Sequence, residues 1–501
     1  MMEPLQGMDA AFLALETGTS HLQVGAVLVL DPPEGRRSLY SPGTRYAQVR
    51  RVFEQRIHLV RPLRQRAVTV PLGLHHPVWM DDPEFDLDDH VHRASLPEPG
   101  GPAELDDLVA DFMARALDPG RPLWDMVVVE GLAGDRTAVM VKLHHAVLDG
   151  VSGASLLGAF LDLGPRGRPV PFAAEPWAPE PIPTSAALLR YAAAGLARQP
   201  EVAWDAADQL LDAVVAVAGH NRKLADQGQA PPPAPFSAPR TSLNGTLSAR
   251  RRFAAVAVPL DDVKLVRRAF GTTVNDVLLA AVGGAVRRLL DRRGECPDRS
   301  LVGLVPVSTR GGPAGRAAGA ADHVDHADHA DHAAEVALGN RLSAMLVSLA
   351  TDLADPVDRL LAVSAGTRVA KTQEGLVGGR LFEDLARMTP PAVSSRAMRW
   401  AAGLRLFDRL PPVFNVVVST VPGPDFGLWC AGSRVAALHP VGPICEGVGL
   451  NVTAMSYQGT VQFGLLGCRR LAPDVAVLAD LLDDSLAELV AAALLQRGVA
   501  G

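Results

Sequence analysis

The sequence predicts two large α/β units joined by a connector rich in proline and alanine. Three observations predict it. A chain of 501 residues is too long for one ordinary hydrophobic core, so two units are expected. Between residues 164 and 240 the composition changes, with "PRGRPVPFAAEPWAPEPIPTS" and "QGQAPPPAPFSAPR" flanking an alanine-rich helical stretch. On both sides of it, strand-like runs alternate with helical ones. The division is therefore 1–175, a connector 176–240, and 241–501.

In the first unit, "HLQVGAVLVL" (21–30) reads as a strand and "AELDDLVADFMARAL" (103–117) as a helix. The β-rich runs 126–130 and 137–143 flank the turn-forming "GLAGDR" and predict a hairpin. "VSGASLLGAFLDL" then has helical apolar spacing. In the second unit, "TTVNDVLLAAVGGAVRRLLDRRG" predicts a long helix capped by Thr273, with Thr273 and Asp276 as a capping box and a stop at Gly294. Strands are expected at 301–307, 414–420, 449–456 and 460–466, and helices at 355–372 and 474–495.

Composition narrows the function classes. A chain 48% hydrophobic and 21% charged is globular, and a net charge of -7 gives no reason to expect nucleic acid as a partner. The basic residues are nearly all arginine, the only lysines being Lys142, Lys223, Lys264 and Lys371. Cys296, Cys430, Cys445 and Cys468 are scattered without metal-ligand spacing, which predicts reduced thiols in a cytoplasmic setting. No signal peptide or membrane-spanning segment is expected. One insert near 317–334, "ADHVDHADHADHAA", repeats Asp-His with a period of three. It reads as a solvated loop, because that period holds no helical face and no apolar residue anchors it. Weak metal binding by its imidazoles and carboxylates is the alternative.

The chemistry concentrates in "VKLHHAVLDGVSG" (141–153), where a strand ends on His144 and His145, and Asp149 and Gly150 follow as HHxxxDG. A neutral imidazole is the side chain best suited near pH 7 to take a proton from a hydroxyl and return it to a leaving group. A carboxylate four residues on braces the loop, and glycine lets the chain turn where a Cβ would clash. His75-His76 lacks the following Asp-Gly, so the pair alone carries little. Two other uses of the motif stay open: a buried structural pair, or a metal site lacking a third ligand of recognised spacing. There is no GxSxG elbow, no phosphate-binding GxxxxGK[ST] and no dinucleotide fingerprint.

With those residues in view, the chain resembles the bacterial wax ester synthase/diacylglycerol acyltransferase family, within the wider HHxxxDG group of CoA-dependent acyltransferases. The likeness runs from "PLQGMDAAFLALET" through "PVWMDDPEFDLDDHV" (77–91), "RPLWDMVVVEGL" (121–132) and "HHAVLDG" (144–150). It continues in "TVNDVLLAAVGGAVRRLL" (273–290), "LGNRLSAMLVSL" (338–349), "NVVVSTVPGP" (415–424) and "VGPICEGVGLNVTAMSYQGTVQFGL" (441–465). The resemblance implies two chloramphenicol-acetyltransferase-like domains, each a mixed sheet flanked by helices. The active site would lie at their interface, on a tunnel. His145 becomes the general base, with His144, Asp149 and Gly150 supporting the loop. Weaker candidates beside the site are Pro122, Leu123, Trp124, Asn275, Asp276 and Ser419. Asn275-Asp276 has a structural reading as a helix start, and Pro122-Leu123-Trp124 one as core.

Two departures from the family pattern stand out. Thr420 occupies the place, just before the VPGP segment, where the family usually has asparagine, and the Asp-His insert lengthens a stretch that is usually short. The implied activity is acyl-CoA-dependent O-acyl transfer that makes triacylglycerol from diacylglycerol or wax ester from a long-chain alcohol. No cofactor and no metal is expected, only acyl-CoA as substrate. The implied setting is cytoplasmic, with peripheral association with a membrane or lipid droplets. The rivals are acylation of a specialised alcohol or a carrier-bound substrate, for which only "ARRRF" offers a basic patch, and a silent lipid-binding paralogue, against which the intact motif counts.

Overall fold

The structure, a computed structural model, describes residues 3–5, 7–33, 43–149, 153–170, 177–295, 297–308, 342–377 and 391–500. The first unit contains β1 (Glu3–Pro4), α1 (Gly7–Ala14), β2 (Gln23–Leu30), α2 (Thr44–Arg56), β3 (Gln65–Val68), β4 (Val78–Asp81) and β5 (Val91–Ser95). It continues with α3 (Pro102–Ala114), β6 (Trp124–Leu132), β7 (Arg136–His144) and α4 (Gly153–Phe160). The long helix α5 (Ser185–Asp226) forms the connector, started by Thr184, whose hydroxyl accepts from the Ala187 N–H. The second unit contains β8 (Arg251–Pro259), α6 (Leu260–Phe270), α7 (Val274–Arg292), β9 (Val302–Ser308), β10 (Leu342–Ser348) and α8 (Pro356–Val377). The helix Pro391–Gly403 follows, then β11 (Val416–Val421), β12 (Trp429–Cys430), β13 (Ser433–Val441), β14 (Leu450–Tyr457), β15 (Thr460–Cys468) and the helix Val475–Ala500.

Each unit is built on a mixed six-stranded sheet. The first has the order β12-β13-β2-β7-β6-β5, antiparallel except for the parallel β5–β6 pair. The second has the order β10-β9-β11-β14-β15-β8, with β11 parallel to both its neighbours. By sequence β12 and β13 belong to the second unit; by hydrogen bonding they complete the sheet of the first, β13 running antiparallel to β2 from Val435 opposite Leu30 to Val441 opposite Gly25. The predicted hairpin is β6–β7, with Trp124 opposite Leu143. A small third sheet, β1-β4-β3, lies in the first unit.

Local chemistry explains the elements that set the site. Gly271 adopts φ 65° and stops α6; α7 then begins on the predicted capping box, Thr273 and Asp276 each accepting the other's backbone N–H. The interior of α7 is buried nearly all round and forms the centre of the second core, with Val277 to Leu290 against β9, β11, β14 and the C-terminal helix. No single helix among the described residues is long and apolar enough to cross a membrane. α6 and α7 pass that test only together, across a 102° bend. The first core gathers Leu30, Phe53, Trp124, Met126, Val128 and Leu161 between the first sheet and its helices. A third cluster crosses the seam, packing Val109 and Met113 of α3 against Phe253 of β8 and Leu466 of β15.

A buried ion pair ties the segment after α4 to the end of α2. Arg56 donates to both carboxylate oxygens of Asp162, at 2.8 and 3.0 Å, with each side chain 5% accessible. Asp162 and Trp429 exchange backbone hydrogen bonds, so the same residue fixes the start of β12.

Candidate active site

β7 ends on His144, and a short 3-10 turn, His145–Asp149, follows beside the seam between the units. The His144 N–H donates to the Leu123 carbonyl at 2.9 Å and the His145 N–H to the Leu22 carbonyl at 3.0 Å. Both neighbouring strands thus hold the end of β7 in register. His144 is 1% exposed, and its Nδ1 accepts from the Ala146 N–H at 3.1 Å. That bond fixes the tautomer, because an accepting Nδ1 leaves the proton on Nε2. Nε2 lies 3.2 Å from the Glu16 carboxylate, an ion-pair distance, but off line for a formed hydrogen bond.

His145 turns the other way. Its ring stacks on Phe12 of α1 at 4.2 Å with a 35° tilt, and its Nδ1 is buried without a hydrogen-bond partner. Burial, and to a smaller extent His144, pushes its pKa down to about 4. Its own main-chain carbonyl acts in the opposite sense. The imidazole is neutral at any pH near 7.

The loop under these histidines is pinned across the seam. The carboxylate of Glu446 accepts from the Thr17 and Thr19 hydroxyls, at 2.9 and 2.5 Å, and from the Leu247 N–H at 3.0 Å. Arg251 donates to the Ser248 carbonyl at 2.6 Å and to the Thr19 carbonyl. Glu446 belongs to the "GPICEGVGLN" segment, where Asn451 also donates to the Pro443 carbonyl at 2.8 Å. Gly442 is required there: a Cβ would meet the Asn451 Oδ1 at 2.4 Å. From the other side, the Lys142 ammonium donates to the Phe112 and Arg115 carbonyls at 3.0 and 2.8 Å, holding the end of α3. Burial lowers its pKa to about 8.

The remaining sequence candidates sit as follows. Asp149 closes the 3-10 turn, its side chain outside the described residues, as are Gly150 and the whole Asp-His insert. Pro122, Leu123 and Trp124 are buried; Trp124 Nε1 donates to the Leu63 carbonyl at 2.8 Å and its ring stacks on His90. Asp276 is buried and, beyond its cap, accepts from Ser364 Oγ at 3.1 Å and Thr367 Oγ1 at 2.6 Å of α8. Asn275 and Ser419 are half-buried in the second unit. Among the described residues, no hydrogen bond, ion pair or ring contact joins Asn275, Asp276 or Ser419 to either histidine. Thr420 has a buried hydroxyl without a partner, at the position where the family pattern has asparagine.

Two cavities stand out. One, of about 150 Å³, lies among Arg66, Asp82, Asp89, His90, Asp118 and Arg121. The other is a small pocket on the seam, among His21, Gln23, Met113, Arg251, Pro443 and Leu466. His145 lines neither, so the tunnel implied by the resemblance is not traced by these cavities. No group of three or more His, Cys, Asp or Glu suited to a metal occurs among the described residues.

Phe12, Glu16, Glu446 and Lys142 are the site residues that sequence reasoning missed. Phe12, Glu16 and Glu446 lay inside the segments that carried the resemblance, but only as unassigned letters, and Lys142 stands two residues before the motif.

Two domains of one family match most of the chain. The wax ester synthase/diacylglycerol acyltransferase catalytic domain matches residues 5–278, and the C-terminal domain of the same family matches residues 338–490. Two candidate diacylglycerol O-acyltransferases of Mycobacterium tuberculosis are similar: one is 33% identical over 98% of this chain and 90% of its own length, the other 36% identical over 91% and 90%. The solved wax ester synthase/diacylglycerol acyltransferase from Marinobacter aquaeolei VT8 matches with TM-score 0.66 and 28% identity, covering 98% of this chain and all of its own. The first condensation domain of the calcium-dependent antibiotic synthetase shares the fold, at TM-score 0.55 and 16% identity over 98% and 96% of the two chains. A mixed two-unit α/β fold with an intact histidine motif at its seam, matched by family over both halves, identifies this chain as an acyltransferase belonging to the wax ester synthase/diacylglycerol acyltransferase family.

Proposed function

We propose that this protein transfers a fatty acyl group from acyl-CoA to the hydroxyl of diacylglycerol or of a long-chain alcohol, with His145 as general base. The observation that carries this reading is the neutral imidazole of His145, next to the end of β7 and against Phe12, with no side-chain hydrogen bond at its Nδ1. The imidazole takes the proton of the acceptor hydroxyl, and the oxygen attacks the thioester carbonyl. The tetrahedral intermediate collapses, the C–S bond breaks, and the imidazolium returns the proton to the departing CoA thiolate. No acyl-enzyme is needed. His144 positions the loop through its fixed tautomer and Glu16. An apolar acceptor site suits both alcohols, because burying methylenes at about 0.8 kcal/mol each gives affinity with little chemical discrimination. Acceptors of this kind reside in lipid, which supports a cytoplasmic enzyme that visits membrane or lipid-droplet surfaces.

The test is release of CoA thiol from palmitoyl-CoA with dioleoylglycerol and with hexadecanol as acceptors. Acceptor-dependent release is expected, and the better acceptor assigns the lipid class. A well-folded protein without it would point to a specialised alcohol, a carrier-bound donor or a silent binder. The pH profile adds a sharper expectation. Protonation switches the base off, and the pKa of His145 is lowered to about 4. The acid limb of kcat/KM should therefore fall near pH 4, whereas a solvated imidazole would lose activity near its ordinary value of 6.5. Dithiodipyridine reads thiols in that acidic range. For Glu16, alanine should lower kcat roughly tenfold by removing the side chain whose carboxylate lies 3.2 Å from the buried His144 Nε2, and glutamine, which keeps that shape, should restore most of it. Equal losses in both variants would assign the carboxylate a role in charge rather than position.

A further inference from the structure

We propose that the outward face of the helix Pro391–Gly403 docks this protein on an anionic lipid surface, delivering the acceptor to the site beneath it. This rests on the lipid-acceptor reading above and names the surface that serves it. Val393 is 58% exposed, Trp400 77% and Leu404, just past the helix end, 61%. With Ala397 they fall at spacings of four, three and four residues, one stripe along the helix rather than isolated apolar residues. Tryptophan with one apolar body and one polar edge prefers the boundary between hydrocarbon and water. At the start of the helix the turn Pro71–Gly73 abuts it, a Cβ on Gly73 falling 2.8 Å from that of Ala392. That turn holds Leu72 at φ 61°, a left-handed conformation that disfavours leucine, with its side chain 78% exposed.

Charge selects the occupant. The chain as a whole carries -7, yet Arg396 and Arg399 flank the stripe and Arg409 follows, none of them paired with a carboxylate among the described residues. Arg399 donates to the Ser395 hydroxyl at 3.3 Å, and Arg405 pairs with Asp408 at 2.7 Å. A two-fold contact with a second copy would set these arginines against each other. Phosphate headgroups satisfy them, as at other interfacial helices. The placement is productive as well. The helix packs on α1, and α1 carries Phe12, which stacks on His145. The docked face is thus separated from the imidazole by the docking helix and α1, about two helix diameters or 20 Å.

The test uses the full chain and flotation with phosphatidylcholine vesicles, with and without phosphatidylglycerol. The parent should float with the anionic vesicles. R396Q/R399Q should lower that partitioning about 30-fold and W400S about tenfold. Transfer to dioleoylglycerol embedded in the vesicles should fall in step. Transfer to a water-soluble short-chain alcohol should stay unchanged in both variants, which also shows that they fold. Variants that float as the parent does, or a parent that binds neither vesicle, would overturn the proposal. So would self-association of the parent by light scattering that W400S abolishes, since that assigns the face to a second copy. A parent inactive even with the soluble alcohol would overturn the acyl-transfer reading instead, and the flotation result would still be judged separately.

Discussion

Replacing His145 by alanine is expected to lower kcat for acyl transfer by roughly 10²- to 10⁴-fold while changing KM little, the range found when a positioned base is removed. The ring's contacts explain why the loss should fall on kcat. His145 touches Phe12, its backbone N–H binds Leu22, and no side-chain hydrogen bond from it holds the fold. Alanine keeps the backbone bond and removes only the base. The variant's thermal midpoint should therefore stay close to the parent's. A variant that is folded and retains a third of the parent's rate would remove His145 from the mechanism.

The largest effect on stability is expected at Asp162. Its carboxylate takes two bonds from Arg56 and one, at 3.0 Å, from the Arg168 N–H, in a pocket that hides both charged side chains. Asp162→Ala leaves a buried guanidinium without its counter-charge, and the cost should be about 3–5 kcal/mol. Urea unfolding of the full chain measures it. Arg56→Met with Asp162→Leu removes both charges at similar volume and should recover most of the loss. Were the single variant to lose under 1 kcal/mol, water would be reaching this pair. The variant that remains folded should retain the parent's specific activity, since the pair is remote from the imidazole in the hydrogen-bond network.

How far the sequence carried can be argued from particular residues. The β6–β7 hairpin, the start of α7 on Thr273 and Asp276, and the strands β9, β11, β14 and β15 were legible because each is dictated locally, by alternation, turn chemistry or capping. The double role of Asp276, cap of α7 and acceptor for Ser364 and Thr367, was half visible, since only the cap is local. Glu16 and Glu446 were not legible as site residues. They act on partners 128 and 427 to 429 positions away, and one-dimensional spacing carries no record of such distances. The same holds for β13. It was not predicted as a strand, and nothing in its sequence says which of two sheets it joins.

That choice of sheet has a consequence for how the molecule is made. During synthesis the first unit emerges with β2 as an unpaired edge, because its neighbour β13 lies some four hundred residues downstream. The catalytic half cannot close until Val441 has left the ribosome, so the nascent chain carries an open, apolar strand edge for most of its translation. Dividing the gene at the connector should yield a first half that aggregates, and co-expression of the second half should rescue it. The enzyme is modular in outline and indivisible in assembly.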